Sequence, residues 1–480
     1  MRKIALALML CLMPLLQAGA QTAARLSPEA RAFVKEDAAV LVLRHVRLID
    51  GTGAAPALDQ TVVVRDGKIA ALGDSGAVAA PAGAKVLDLS GHTLIPGLVG
   101  MHDHMFYPGT RGALALYDEH ALSFPRLYLA GGVTSIRTAG SLEPYTDLEI
   151  KRAIDEGKIP GPKMDVTGPY LEGEGAFTPQ MRQLQDAEDA RRTVEYWAAE
   201  GVTSFKAYMN ITPAELSAAI KAVHAHGLKI TGHLCSIGFR EAAALGIDDL
   251  EHGLAVDTEF LPAKKPDQCP DTNAAEAGLV PLAVTSGPVH DMIVDLVAHH
   301  VAVTSTLPVF ETYVPGRGPL DARVLDAMLP EVRLDYLATR ARISDGAAQS
   351  YWPALMKKEM EFEFEFVKQG GTLLAGLDPT GYGGVIAGFG DQREVELLVE
   401  AGFTPVQAIH IATSNGAEFM GQADKIGTLA IGKQADFVVV DGDPSTDIKS
   451  IEKVETVFKD GVGYDSAKLI ASVRGLVGMH

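Results

Sequence analysis

Two kinds of hydrophobic pattern divide the chain. From about residue 39, VLVLRHVRLIDGTG, QTVVVRDGKIAALG and KVLDLSGHTLIPG are short β-rich runs separated by Gly/Asp turns. The same texture returns near the end as KIGTLAIGKQADFVVVDGDP and VETVFKDGVGY. β-rich pieces at both ends of a long α/β middle predict one discontinuous β-sandwich domain, built from residues 35–95 and 424–465. In the middle, apolar runs alternate with helical patterns. After the run LIPGLVGMHDH come GVTSIRTAG, KMDVTGPY, GVTSFKAYMN, LKITGH, IDDLEHG, VAVTSTL and GTLLAGLDPT, eight strand candidates in all. Between them lie amphipathic segments such as YTDLEIKRAIDEG, residues 186–200, and ITPAELSAAIKAVHAHG. The last has Thr212 as N-cap, Pro213 in its first turn and Gly227 past its end. Eight strands with intervening helices over residues 96–423 predict an α/β fold of the (β/α)8 TIM-barrel type. Residues 260–281, rich in Pro, Lys and Asp, read as an irregular loop extension, and residues 316–390 carry long helices, including the acidic KKEMEFEFEFVKQGG.

Composition refines this picture little. At 480 residues the chain exceeds one ordinary core, and 47% hydrophobic with 21% charged residues is globular usage. Residues 1–20, MRKIALALMLCLMPLLQAGA, have a basic start, an apolar run and Ala18-Gly19-Ala20 before Gln21, the pattern of a secretory signal peptide. No later stretch holds about 20 consecutive apolar residues, so no membrane anchor is expected after cleavage. Loss of Arg2 and Lys3 takes the formal net charge from −19 to −21, and such an acidic chain has no electrostatic footprint for nucleic acid. Export to the periplasm or medium is the expectation. Cys235 and Cys269 alone remain after cleavage, which excludes a disulfide scaffold and leaves a single bridge open.

Candidate chemistry lies where barrels of this kind keep it, at the carboxyl ends of the strands. Residues 94–104 read as a buried strand whose alternation projects His102 and His104 together and turns Asp103 away. The fourth strand ends in Lys206 and Tyr208, the fifth in His233, the sixth in Glu251-His252, the eighth in Asp378. Four histidines, a lysine and an aspartate on strand ends make a metal site the expected centre, with Glu251 alternating away from it. His120, just after the first strand, is within reach of it. The remaining histidines fall on sandwich strands, helix ends or the tail.

These residues (HDH after LIPGLVG, the strand lysine, His233, the EHG His252 and Asp378 of GLD) resemble the amidohydrolase superfamily over nearly the whole mature chain. GVTSIRTAG and VEAGFTPVQAIHIATSNGAEFMG resemble its imidazolonepropionase-like and prolidase-like branch. The resemblance implies Lys206 carboxylated by carbon dioxide and bridging two divalent ions. His102, His104 and Asp378 would hold one ion, His233 and His252 the other. Imidazole and carboxylate ligands suit zinc, with Mn²⁺, Co²⁺ or Fe²⁺ as alternatives. It further implies hydrolysis by metal-activated hydroxide, with Asp378 moving the proton to the leaving amine.

For substrate, Tyr208 shares a strand face with Lys206 and resembles the strand-end tyrosine of prolidase-like members, placed to polarise the carbonyl or meet a carboxylate. Arg137, ending the second strand, is a second carboxylate partner, and GPYLEGEGAF reads as a lid. The expected substrate is a small peptide-like amide with a free carboxylate, an Xaa-Pro-type dipeptide or an N-acyl amino acid. A lactonase or arylesterase would use the same site. A mononuclear deaminase or cyclic-amide hydrolase is disfavoured by Lys206, and a non-catalytic metal-binding protein by the full ligand set. Oligomeric state is open, a homo-oligomer included.

Overall fold

The computed structural model describes residues 23–111 and 114–478; the signal-peptide reading, on residues 1–20, lies outside the described residues. All eight strands expected of the middle region form, and all run parallel. Leu98–Asp103, Val133–Thr138 and Lys163–Asp165 make a three-stranded sheet. Ser204–Ala207, Lys229–Gly232, Asp249–Glu251, Ala302–Ser305 and Leu373–Ala375 make a five-stranded sheet in chain order. The free edges of the two sheets meet through backbone hydrogen bonds: the Gly168 N–H donates to the Ser204 carbonyl at 2.9 Å, and the Asp378 N–H donates to the His102 carbonyl at 3.0 Å. Most of these strands are buried along their whole length, as expected where helices cover one face and the partner sheet the other. Close approach is tight at Gly376, where an added Cβ would stand 2.4 Å from the His102 Cβ.

Both chain ends enter one nine-stranded mixed sheet, joined where Phe437–Asp441 pairs antiparallel with His92–Pro96. Period-two alternation sends Leu41, Leu43, Val62, Val64, Phe437 and Val439 into a common apolar cluster, distinct from that of the parallel strands. The run 94–104, read as one strand, is two. It breaks at Gly97, so His92–Pro96 belongs to the composite sheet and Leu98–Asp103 to the parallel one. Leu94 packs in the first core and Leu98 in the second, and a side chain at residue 97 would collide with Thr134.

Helices start where capping chemistry places them. Asp186 accepts from the Asp189 N–H to open Ala187–Glu200, and Thr212 and Glu215 form a reciprocal capping box at the head of Pro213–Ala225. The stretch 260–281 is not wholly irregular: Asp271 caps a helix, Thr272–Leu279. Its signal is hidden because prolines and lysines surround only two turns.

The acidic helix Trp352–Lys368 buries Glu359 and Glu363. Glu359 accepts from the Leu254 and Ala255 N–H groups at 3.1 and 2.6 Å, while burial lifts the Glu363 carboxyl to about 8. A carboxyl held protonated in the fold keeps a proton that the unfolded chain releases above its ordinary value of 4.5. The stability it contributes is therefore whole below about pH 4.5 and is lost as pH rises toward 8, by up to about 1.4 kcal/mol per pH unit. Glu363→Gln is expected to flatten the pH dependence of the unfolding free energy over that window, checked by denaturant titrations at several pH values.

Candidate metal centre

Strand ends and the turns after them gather His102, His104, Lys206, Tyr208, His233, His252 and Asp378 on one cavity of about 460 Å³. Asp378 is the hub. Its Oδ2 stands 3.8 Å from His102 Nε2 and 3.9 Å from His252 Nε2, and its Oδ1 stands 3.7 Å from His104 Nε2. One ligand atom each from His102, His252 and Asp378 fits within 4.8 Å. Lys206 Nζ lies 3.1 Å from His102 Nε2, and the His233 ring centroid is 4.5 Å from that of His252.

The outer ring nitrogens are engaged elsewhere, which turns the inner ones to the centre. His102 Nδ1–H donates to Glu251 Oε2 at 2.7 Å and His104 Nδ1–H to the Gly140 carbonyl at 3.1 Å; His252 Nδ1 pairs with Thr306 Oγ1 at 2.8 Å. Burial pushes the imidazoles of His102, His104 and His252 down and that of His233 to about 3, so all four are neutral lone-pair donors. Burial likewise lowers the Lys206 amine to about 8. Asp378 Oδ1 has no hydrogen-bond partner despite its burial. Neutral nitrogens converging on the two oxygens of one buried carboxylate suit a divalent cation. His252 and Asp378 both take left-handed backbone, φ 71° and 48°, an arrangement that costs about 1–3 kcal/mol each and gathers at functional sites.

Three expectations need correction. Arg137 does not line the cavity. It is 1% exposed and donates to Glu251 Oε1 at 2.8 Å and Thr231 Oγ1 at 3.1 Å, beneath the centre. Glu251, read as facing away, is the anion behind His102 and also accepts from Thr231 Oγ1 at 2.6 Å. Burial alone would raise its carboxyl; Arg137, His102 and Lys206 instead hold it well below the ordinary carboxylate value. His120 lies outside the cavity lining, packed on Phe124 at 4.9 Å between ring centroids.

The model of the family described as "Amidohydrolase family" matches residues 378–463. A dihydroorotase of Trichlorobacter lovleyi is 29% identical over 182 residues, 34% of this chain and 41% of that protein. An imidazolonepropionase of Stenotrophomonas maltophilia is 26% identical over 258 residues, 43% of this chain and 62% of that protein. The chain thus spans less than two thirds of either relative's length. It is similar to the amidohydrolase family in sequence over residues 378–463 and over parts of these relatives. Its fold is shared with the crystal structure of a putative prolidase from Bifidobacterium longum, with a TM-score of 0.64 at 22% identity, covering 90% of this chain and 98% of that one.

Around this candidate metal centre the cavity has two aromatic walls. Phe106, Tyr117, Tyr170, Phe177 and Tyr208 form one. Tyr208 packs edge-on against both Tyr170 and His233, 4.8 and 4.9 Å between centroids, and burial pushes its phenol well above 10, so the hydroxyl keeps its proton. Tyr170 and Phe177 belong to the loop expected as a lid, and both reach the lining. Phe310, Tyr313, Trp352 and Tyr382 form the other wall. Cys235, two residues past His233, also lines the cavity and is disulfide-bonded to Cys269. The bridge ties the floor to the segment leading into Thr272–Leu279, which places Thr272, Asn273, Ala275 and Glu276 on the lining.

Proposed function

We propose that this chain is an exported, metal-dependent hydrolase of amide bonds in small molecules. The observation that carries the reading is the convergence of the His102, His104 and His252 Nε2 atoms on the carboxylate of Asp378, whose Oδ1 has no hydrogen-bond partner. The two parallel sheets are read as one (β/α)8 barrel over residues 96–423. Contacts at both edges favour closure, as does the bridging of its interior by Arg137, which reaches from the three-stranded sheet to Thr231 and Glu251 of the five-stranded one. Residues 35–95 and 424–465, folded over their own apolar cluster, are read as the composite β-sandwich. Export is supported by the Cys235–Cys269 bridge, since disulfides persist in oxidising compartments. Among the described residues no helix is long and apolar enough to cross a membrane.

In this reading His102, His104 and Asp378 would hold one divalent ion, zinc by the character of the donors, and His233 and His252 would hold a second. Lys206, whose amine burial makes easier to deprotonate, would supply a further ligand once carboxylated by carbon dioxide. Bound ions would supply a water of lowered pKa and an electrophile for the substrate carbonyl. The chain's own residues do the rest. Asp378 Oδ1 accepts the proton of the attacking water and returns it to the departing amine nitrogen. The Tyr208 hydroxyl, kept protonated, donates to the carbonyl oxygen as negative charge develops there. Glu251 and Thr306 fix the His102 and His252 rings, and the aromatic walls exclude bulk water.

The test joins metal analysis to a substrate panel on the purified chain. About two ions per chain, cleavage of dipeptides, N-acyl amino acids or other small amides, loss of turnover on chelation and its return with zinc or manganese are expected. One ion or none, Lys206 unmodified by mass and no amide cleavage would overturn the proposal. Ester or lactone cleavage alone would keep the centre and replace the substrate class.

A further inference from the structure

The sequence leads to a substrate with a free carboxylate, yet the lining offers none a partner. Among the described lining residues Lys206 is the one cation, and it lies at the metal centre. Arg137 is sealed beneath by Glu251. A neighbouring hollow of about 420 Å³, sharing Leu142, Tyr170 and Met181 with the cavity, does hold Arg182 and Arg192. Both are drawn onto Asp189, at 2.7 and 3.4 Å.

What the cavity offers away from the metal face is the opposite charge. Starting at His252, one wall runs outward as a chain of rings. The Phe310 centroid is 6.1 Å from His252 and 5.7 Å from Trp352. Tyr313 stacks on Trp352 at 4.5 Å and meets Tyr382 at 4.7 Å, and Trp352 is followed by Tyr351 at 5.8 Å. The Tyr351 hydroxyl donates to Glu276 Oε2. Glu276, half-buried on the lining, has no Lys or Arg ion-pair partner among the described residues. A row of π faces ending in an unneutralised carboxylate is the chemistry that holds an organic cation, and the acidic chain as a whole adds an attractive field.

We infer that the outer half of this cavity recognises a positively charged group at the end of the substrate remote from the scissile amide, with Glu276 as its counter-ion and Trp352 and Tyr313 as the platform. The inference rests on the amide-hydrolase reading for which end is scissile. It names the substrate class as amides bearing a remote ammonium or guanidinium rather than a remote carboxylate.

Three matched benzoyl amides test it: those of cadaverine, hexylamine and 6-aminohexanoic acid, whose far ends are positive, neutral and negative. For the native chain, kcat/KM is expected to fall in that order, with about tenfold between the first two, or about 1.4 kcal/mol. In Glu276→Gln the positive-to-neutral ratio is expected to collapse toward one. Glu276→Lys is expected to invert the order in favour of the carboxylate. Equal rates, or preference for the carboxylate in the native chain, would overturn the inference while leaving amide hydrolysis standing. If no amide is cleaved, the proposed function fails, and calorimetric titration with the same compounds still decides the recognition. The same charge order and its loss in Glu276→Gln support it; binding indifferent to charge overturns it.

Discussion

Asp378→Asn is expected to lower kcat by roughly 10²–10⁴-fold, the range typical of a lost general acid–base group, while most of the bound metal stays. The substitution suits the question because Asp378 sits at φ 48°, a conformation asparagine tolerates as readily as aspartate, so the backbone has no reason to move. The amide keeps an oxygen for the ion and loses the basic site that takes a proton at neutral pH. His102, His104, His252 and their outer partners are untouched. Paired measurement of kcat and metal content per chain checks the expectation. A variant that still turns over at the native rate removes Asp378 from proton transfer, and one that loses metal in step with activity makes it a ligand alone.

Glu251→Gln is expected to weaken metal binding by about 10–100-fold, through the freed His102 ring, and to lower stability by about 3–5 kcal/mol, through a buried guanidinium left without its anion. Glu251 accepts from His102, Arg137 and Thr231 at once. Asp249 is a more distant partner: its Oδ2 is 3.7 Å from Arg137 and already accepts from Thr304 Oγ1 at 2.8 Å. The double variant Glu251→Gln/Arg137→Met separates the two effects. Stability should return in large part, because the orphaned charge is gone, whereas metal affinity should stay low, because His102 Nδ1 still lacks a carboxylate. Denaturant unfolding and metal titration of the three proteins check this. Recovery of both together would make Glu251 a partner of Arg137 only.

The metal face was legible because parallel strands advertise their ends. Short apolar runs stop at His104, Lys206, His233, His252 and Asp378, and the structure brings those side chains to one cavity. Glu251 and Arg137 escaped for a geometric reason. Alternation holds only while the backbone stays extended, and the left-handed turn at His252 (φ 71°) breaks it one residue after Glu251. Glu251 therefore supports the site from below while its neighbour faces the cavity from above. Asp249 and Glu251, two apart on the strand, share the face that meets Arg137, which period two could have paired with any basic residue on an opposing strand. The break at Gly97 was written in Pro96-Gly97 but hidden by aliphatics on both sides. The wall bearing Glu276 was illegible, since nothing local tells a two-turn helix in residues 260–281 which surface it will cover.

The bond between Cys235 and Cys269 makes that wall conditional. Strand pairing assembles the metal-facing residues in reducing or oxidising surroundings alike. The segment that carries Asn273 and Glu276 is stapled to the cavity floor only once the two thiols, 34 residues apart in the chain, have been oxidised. On the proposed function, chemistry and selectivity would then ripen at different moments in the life of the molecule. A reduced chain would hold its metal-facing residues under an unfastened roof, and passage into an oxidising space would be the step that closes the choice of what it cuts.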